Sequence, residues 1–120
     1  MNYGYKRADR VGDLVKEEIA SMILRGEIKD PRVGFVTITM VKMSADLKEA
    51  KVYFSLIGSE EDKRHSLEGL KSAGGYMRRN LARRLNLKHI PTLSFFFDET
   101  LEYSEHIEEV LEEIKRGEGH

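Results

Sequence analysis

The chain has 120 residues, 40% of them apolar and 34% charged, and its 20 basic and 21 acidic side chains leave a formal net charge of −1. That length predicts a single domain over residues 1–120 with an ordinary core, and the absence of cysteine excludes disulfides, thiolate metal sites and cysteine nucleophiles. No apolar run approaches the roughly 18 residues that cross a bilayer and no apolar segment of secretory type follows the N-terminus, so a cytoplasmic protein without a membrane partner is expected.

Val11, Leu14, Val15, Ile19, Met22 and Ile23 recur every three or four positions and predict an amphipathic helix from about residue 8 to 25, with Asp9 or a nearby polar residue as a cap and Gly26 as a stop. Asp30-Pro31 disfavours further helix, because proline excludes the helical region for the residue before it. The run FVTITMVKM from Phe35 is rich in β-branched residues and predicts a strand, with Val36, Ile38 and Met40 on one face and Thr37 and Thr39 on the other. A turn at Ser44-Ala45-Asp46 leads into a second alternating run, AKVYFSLI from Ala50, and the two are expected to pair antiparallel.

Ser59 followed by Glu60, Glu61 and Asp62 supplies a cap and a negative first turn for the next helix. Its apolar spacing continues through Leu67, Leu70, Ala73, Met77, Leu81 and Leu85 to about Leu87. The pair Gly74-Gly75 interrupts it, at roughly 1 kcal/mol per glycine relative to alanine, so a kink is expected there. Beyond Pro91, LSFFFD from Leu93 predicts a third strand in which Phe95 and Phe97 face the core and Phe96 faces away. A final acidic helix is predicted from about residue 103 to 115, with Ile107, Val110, Leu111 and Ile114 apolar. The order α-β-β-α-kink-α-β-α is that of an α+β domain, a small sheet covered by helices on one face and partly open on the other.

Charge is segregated along this order. From Asp98 onward nine acidic residues face two basic ones, a net −7, whereas the first 97 residues carry +6. Arg64 to Phe97 holds Arg64, Lys71, Arg78, Arg79, Arg83, Arg84 and Lys88 against Glu68 alone. On a helical wheel Met77 and Leu81 lie within about 20° of Leu70, while Arg79 and Arg83 point to the far side and Arg78 and Arg84 to the flanks. Arginines without interleaved acids suit phosphate, because each guanidinium offers paired donors. A solvated helix face has the same appearance, and spacing alone does not separate the two. Lys6, Arg7 and Arg10 extend the basic set or merely solubilise the chain's beginning. At Gly74-Gly75 the alternatives are close packing of the helix on the sheet, a simple break between two helices, or an opening through which a phosphate backbone reaches the main chain.

Catalytic signatures are missing. His65, His89, His106 and His120 lack metal-ligand spacing, no Gly-x-Ser-x-Gly elbow occurs, and no Gly-Lys-Ser or Gly-Lys-Thr closes a phosphate loop. The sequence nominates no enzyme, cofactor or metal.

Three stretches carry a resemblance: RVGDLVKEEIASMIL, EIKDPRVGFVTITMVKMSADLKEAKVYFS and KSAGGYMRRNLARRLNLKHIPTLSFFFDETLE. Their most specific elements are Asp30-Pro31-Arg32, Ser44 with Asp46-Leu47 ahead of Ala50-Lys51-Val52-Tyr53, and Ala73-Gly74-Gly75-Tyr76-Met77-Arg78 ahead of Pro91, Leu93 and Phe95. The chain resembles the ribosome-binding factor A family over nearly its whole length. The resemblance implies a type II KH-like fold in which the kink Ala73-Gly74-Gly75 stands where other KH domains carry a Gly-x-x-Gly loop. It also implies a monomeric, non-catalytic factor that binds the free 30S subunit and its 16S rRNA and assists maturation of the rRNA 5′ end, especially in the cold. Maturation GTPases are implied as further partners. The expected RNA contacts are Arg78, Arg79, Arg83, Arg84 and Lys88, with Lys71, Lys6, Arg7 and Arg10 in support. The alternative reading is a protein-interaction module that docks its acidic C-terminal helix on a basic partner.

Overall fold

The computed structural model describes residues 6–100, and the acidic helix expected at 103–115 lies outside them. Helix α1 (Arg7–Leu24) is followed by a short 3-10 turn (Pro31–Val33), strands β1 (Thr37–Met43) and β2 (Glu49–Ser55), helices α2 (Glu60–Ser72) and α3 (Gly74–Arg84), and strand β3 (Thr92–Phe97). The sheet order is β1-β2-β3, with β1 and β2 antiparallel and β2 and β3 parallel. The parallel step is what α2 and α3 make possible, since a parallel return needs a crossover that an antiparallel hairpin does not. No helix among the described residues is long and apolar enough to cross a membrane.

Local chemistry sets the ends of these elements. The Asp9 carboxylate accepts the Lys6 backbone N–H at 2.9 Å and closes the start of α1. At its other end Gly26 adopts φ 71°, and the Glu27 N–H reaches back to the Met22 carbonyl at 2.9 Å, the left-handed cap that glycine favours. Asn86, with φ 52°, does the same for α3, whose regular turns stop at Arg84 and not at Leu87. The β1–β2 turn is held by side chains: Ser44 Oγ donates to Asp46 at 2.6 Å, and the same carboxylate accepts the Lys48 N–H at 3.0 Å.

The three helices among the described residues lie on one face of the sheet. Val15, Ile19 and Met22 of α1, Leu70 of α2, and Met77 and Leu81 of α3 are fully buried against Ile38, Val41, Val52, Phe54 and Phe95. Helix α1 comes so close to β1 that a β-carbon at Gly12 would stand 2.6 Å from the Val41 carbonyl oxygen. The expected facing of β1 needs one correction. A bulge between Ile38 and Met40 shifts its phase, so Val41 and Met43 point inward with Ile38 while Met40 turns out and is 46% exposed. The strand also begins at Thr37, leaving Phe35 outside it and 93% exposed. Phe95 is buried and Phe96 is 43% exposed, which is the alternation expected of this segment.

Candidate nucleic-acid interface

The break between α2 and α3 falls on Ala73, which keeps right-handed helical angles (φ −83°, ψ −4°) while ending one helix and beginning the next. Helix α3 starts without a side-chain cap and with no acid in its first turn. A β-carbon built at Gly74 would meet nothing within 4 Å, so this glycine is not there to let another element pack closely. Its main chain faces a groove of about 560 Å³ bounded by Lys71, Gly75 and Arg78 on the helical side and by Thr92, Ser94 and Phe96 of the edge strand β3. Arg79 is exposed and folds back toward the kink, its Nη1 lying 3.3 Å from where a Gly75 β-carbon would stand. Basic charge, accessible main chain and an edge strand therefore meet at one place.

The expected basic residues divide into groups with different surroundings. Lys71 and Arg78 line the groove. Arg78 also donates from Nε to the Pro91 carbonyl at 2.9 Å, which ties α3 to the entrance of β3. Arg83 is exposed but donates to Asn80 Oδ1 at 2.5 Å, and Asn80 in turn donates to the Tyr76 carbonyl at 2.8 Å. Arg84 turns toward α1: its Nη2 lies 2.6 Å from Glu27 and its Nη1 3.6 Å from Glu18. Glu27 also accepts the Tyr76 hydroxyl at 2.7 Å. The hydrogen bond from Arg84, with help from Tyr76, holds the Glu27 carboxyl below its ordinary pKa, while the same carboxylate raises that of Arg84. Arg84 thus staples α3 to the end of α1, and its charge is already matched. Lys88 stands apart from the kink and lines a separate cavity of about 290 Å³ with Arg7, Leu14, Leu47 and His89. Lys6 and Arg10 are exposed at the start of α1.

A tight acidic-basic loop supports α2 from below. Asp30 accepts the Arg32 N–H at 3.0 Å and pairs with its guanidinium at 2.6 Å, which draws the Asp30 pKa down to about 2. Ser66 of α2 donates to the Arg32 carbonyl at 3.1 Å and Arg32 reaches Glu68 at 3.5 Å. These contacts fix the height of α2, and through it of the kink, over the sheet edge.

Residues 7–111 match the sequence profile of the ribosome-binding factor A family. The chain belongs to that family. It is 46% identical over 109 residues to ribosome-binding factor A of Citrifermentans bemidjiense, covering 91% of each chain. The corresponding factor of Syntrophobacter fumaroxidans is 48% identical over 116 residues, 95% of this chain and 98% of that one. In three dimensions the chain is similar to the crystal structure of ribosome-binding factor A from Thermus thermophilus, with TM-score 0.65, 26% identity, and 76% and 96% of the two chains covered. It is also similar to a homology model of Thermus thermophilus ribosome-binding factor A fitted into a cryo-electron microscopy map of its complex with the 30S subunit, with TM-score 0.62, 26% identity, and 76% and 94% covered.

Against this family background, two basic residues that sequence reasoning passed over stand out. Lys42 and Lys51 are exposed and directly opposed on neighbouring strands, facing away from the helices. The available signal was the antiparallel register, which places them together once the β1 bulge is taken into account.

Proposed function

We propose that this chain is a small-subunit assembly factor that binds the free 30S particle and its 16S rRNA through the kink and the outer face of α3. The family match supports the function, and the 30S complex of the Thermus relative supports the particle. It acts without catalysis. The observation that carries the choice of surface is the open main chain at Gly74, flanked by Lys71 and Arg79, beside a groove that runs to the edge strand. We read the α-β-β-α-kink-α-β order as a type II KH-like domain, with residues 8–98 as the core of one domain and the kink Ala73-Gly74-Gly75 in the role of the Gly-x-x-Gly loop.

Within that surface Arg79 and Lys71 are the first contacts to phosphate and Arg83 the next, because their charge is free of carboxylates among the described residues. Arg78 and Arg84 act mainly by holding α3 in place, and Lys88 with Lys6, Arg7 and Arg10 forms an outlying basic patch. Recognition of folded rRNA rests on shape and phosphate spacing more than on base edges. Binding favours one rRNA conformation over others, a shift of population that promotes late maturation, including that of the 5′ end. The factor works as a monomer in the cytoplasm, and a GTPase of the maturation pathway is a fitting agent of its release.

Charge reversal tests this surface. Arg79→Glu with Arg83→Glu should abolish co-sedimentation with purified 30S subunits at moderate salt while leaving the circular dichroism spectrum and melting temperature unchanged. Undiminished co-sedimentation would assign binding to another face.

A further inference from the structure

The sheet face turned away from the helices is ordered in rows. Met40, Tyr53 and Phe96 are partners across β1, β2 and β3, and the next outward row is Lys42, Lys51 and Ser94. The Tyr53 and Phe96 rings lie with centroids 5.6 Å apart and planes tilted by 31°. Phe96 and Met40 remain substantially exposed, and no described helix covers them. Lys42 and Lys51 face each other across an antiparallel pair, an arrangement that disfavours folding because like charges are held together. The acids bordering these rows are Glu49, one row beyond the lysines and paired with Thr92, and Asp98, two residues past Phe96, whose carboxylate accepts the Thr39 hydroxyl at 2.7 Å. An apolar row beside a cationic row, about 7 Å apart along the strand, is complementary to a nucleotide, which presents a flat base and a phosphate at comparable separation.

This face is continuous with the groove at the kink. Ser94 and Phe96 form the groove's wall on the β3 side, so a strand lying against Lys71 and Gly74 passes over the edge of β3 directly onto the aromatic row. We propose that the open sheet face binds a single-stranded segment of RNA, its bases stacked on Phe96 and Tyr53 and its phosphates held by Lys42 and Lys51. The proposal rests on the reading of this chain as an rRNA-binding factor and adds to it a second contact surface with a different ligand geometry. The kink meets a folded backbone, whereas the sheet meets unpaired bases. Stacking is tolerant of sequence because every base has a π-face, and duplex RNA, whose bases are already stacked on one another, does not offer it.

Fluorescence anisotropy with the full chain tests this, using a labelled ten-nucleotide single-stranded RNA of mixed sequence and a blunt duplex of the same length. The single strand should bind more tightly than the duplex. Phe96→Ala should weaken it about tenfold, as loss of one stacking ring does. Lys42→Ala with Lys51→Ala should reduce the slope of log affinity against log salt by about 1.4, the share of two phosphate contacts on a single strand. Thermal melts of both variants within a few degrees of the parent exclude misfolding as the cause. Equal binding by parent and variants, no preference for the single strand, or no binding by the full chain would each overturn the proposal. So would a concentration-dependent dimer that Phe96→Ala dissolves, which would give the face to a second copy of the chain. The two surfaces fail separately. Phe96 borders both surfaces, so the lysine pair separates them: if Arg79→Glu with Arg83→Glu leaves 30S co-sedimentation intact while Lys42→Ala with Lys51→Ala still weakens the oligonucleotide, the kink reading falls and the sheet proposal stands; the opposite pair of results reverses that outcome.

Discussion

Helices α2 and α3 are joined by one residue and built on opposite principles. The first turn of α2 is closed by reciprocal hydrogen bonds, the Ser59 hydroxyl accepting the Asp62 N–H at 3.1 Å and the Asp62 carboxylate accepting the Ser59 N–H at 2.9 Å. Glu60 and Glu61 add negative charge where the helix dipole favours it. Helix α3 has neither cap nor acid at its start, begins with two glycines and carries arginine on its outer side. Local rules of helix stability are kept in one half and broken in the other. The broken half is the one that faces the groove, which is where departures from local consistency are expected if a site is built there.

Glycine substitutions on either side of the kink are the sharpest way to break this contrast. A β-carbon at Gly69 in α2 would stand 2.8 Å from Val33 Cγ2 and 3.0 Å from Arg32 Cβ, both on the turn that supports the helix. Val33 is fully buried and β-branched, with no room to swing aside. Gly69→Ala should therefore destabilise the chain by about 1–2 kcal/mol, the cost of overpacking less the gain in helix propensity, measured by urea denaturation. A neutral result would show that the Asp30–Arg32 loop yields easily. Ser59→Ala, which removes the α2 cap, should cost about 1 kcal/mol by the same measurement. Gly74→Ala should do the opposite, stabilising by about 0.4–1 kcal/mol, because the new methyl group meets nothing and the unfolded chain loses freedom. Under the proposed function this more stable variant should bind 30S subunits less well. A variant both more stable and equally competent would return Gly74 to the status of an ordinary helix break.

The kink and the capped start of α2 were legible in the sequence because both are local: neighbouring glycines, and a serine three residues before an aspartate. The facing of Phe95 and Phe96 was legible for a similar reason, since one core position in a strand fixes its neighbours. What the sequence hid depends on distance along the chain. Arg84 looks like its neighbour Arg83 until the fold brings Glu27, 57 residues away, to its guanidinium. Arg78 likewise acquires its tie to Pro91 only when β3 is placed beside α3. The bulge in β1 was invisible because V-T-I-T-M alternates perfectly as letters, and only pairing with β2 reveals that Thr39 is the extra residue. Hidden with it was the outward row of Met40, Tyr53 and Phe96.

Acid provides a smaller but cleaner separation of the two helices. The backbone hydrogen bond from Ser59, followed by that from its side chain, holds the Asp62 carboxyl below its ordinary pKa of 3.8. A carboxylate whose pKa is lower folded than unfolded contributes stability above the unfolded value and loses it as the pH falls through the folded one. The α2 cap is thus fully formed at pH 5 and weakens below about pH 4, whereas α3 has no carboxylate at its start to titrate. Amide hydrogen exchange followed from pH 5 to pH 2, corrected for intrinsic rates, should show protection lost at the first turn of α2 before any change at the first turn of α3. Asp62→Asn should shrink that difference by removing the carboxylate that accepts the Ser59 N–H while keeping a side chain of the same size. Equal loss in both helices across this range would instead mean that acid acts on a shared support, and the Asp30–Arg32 pair beneath α2, with its carboxyl near pKa 2, would be the element to substitute next.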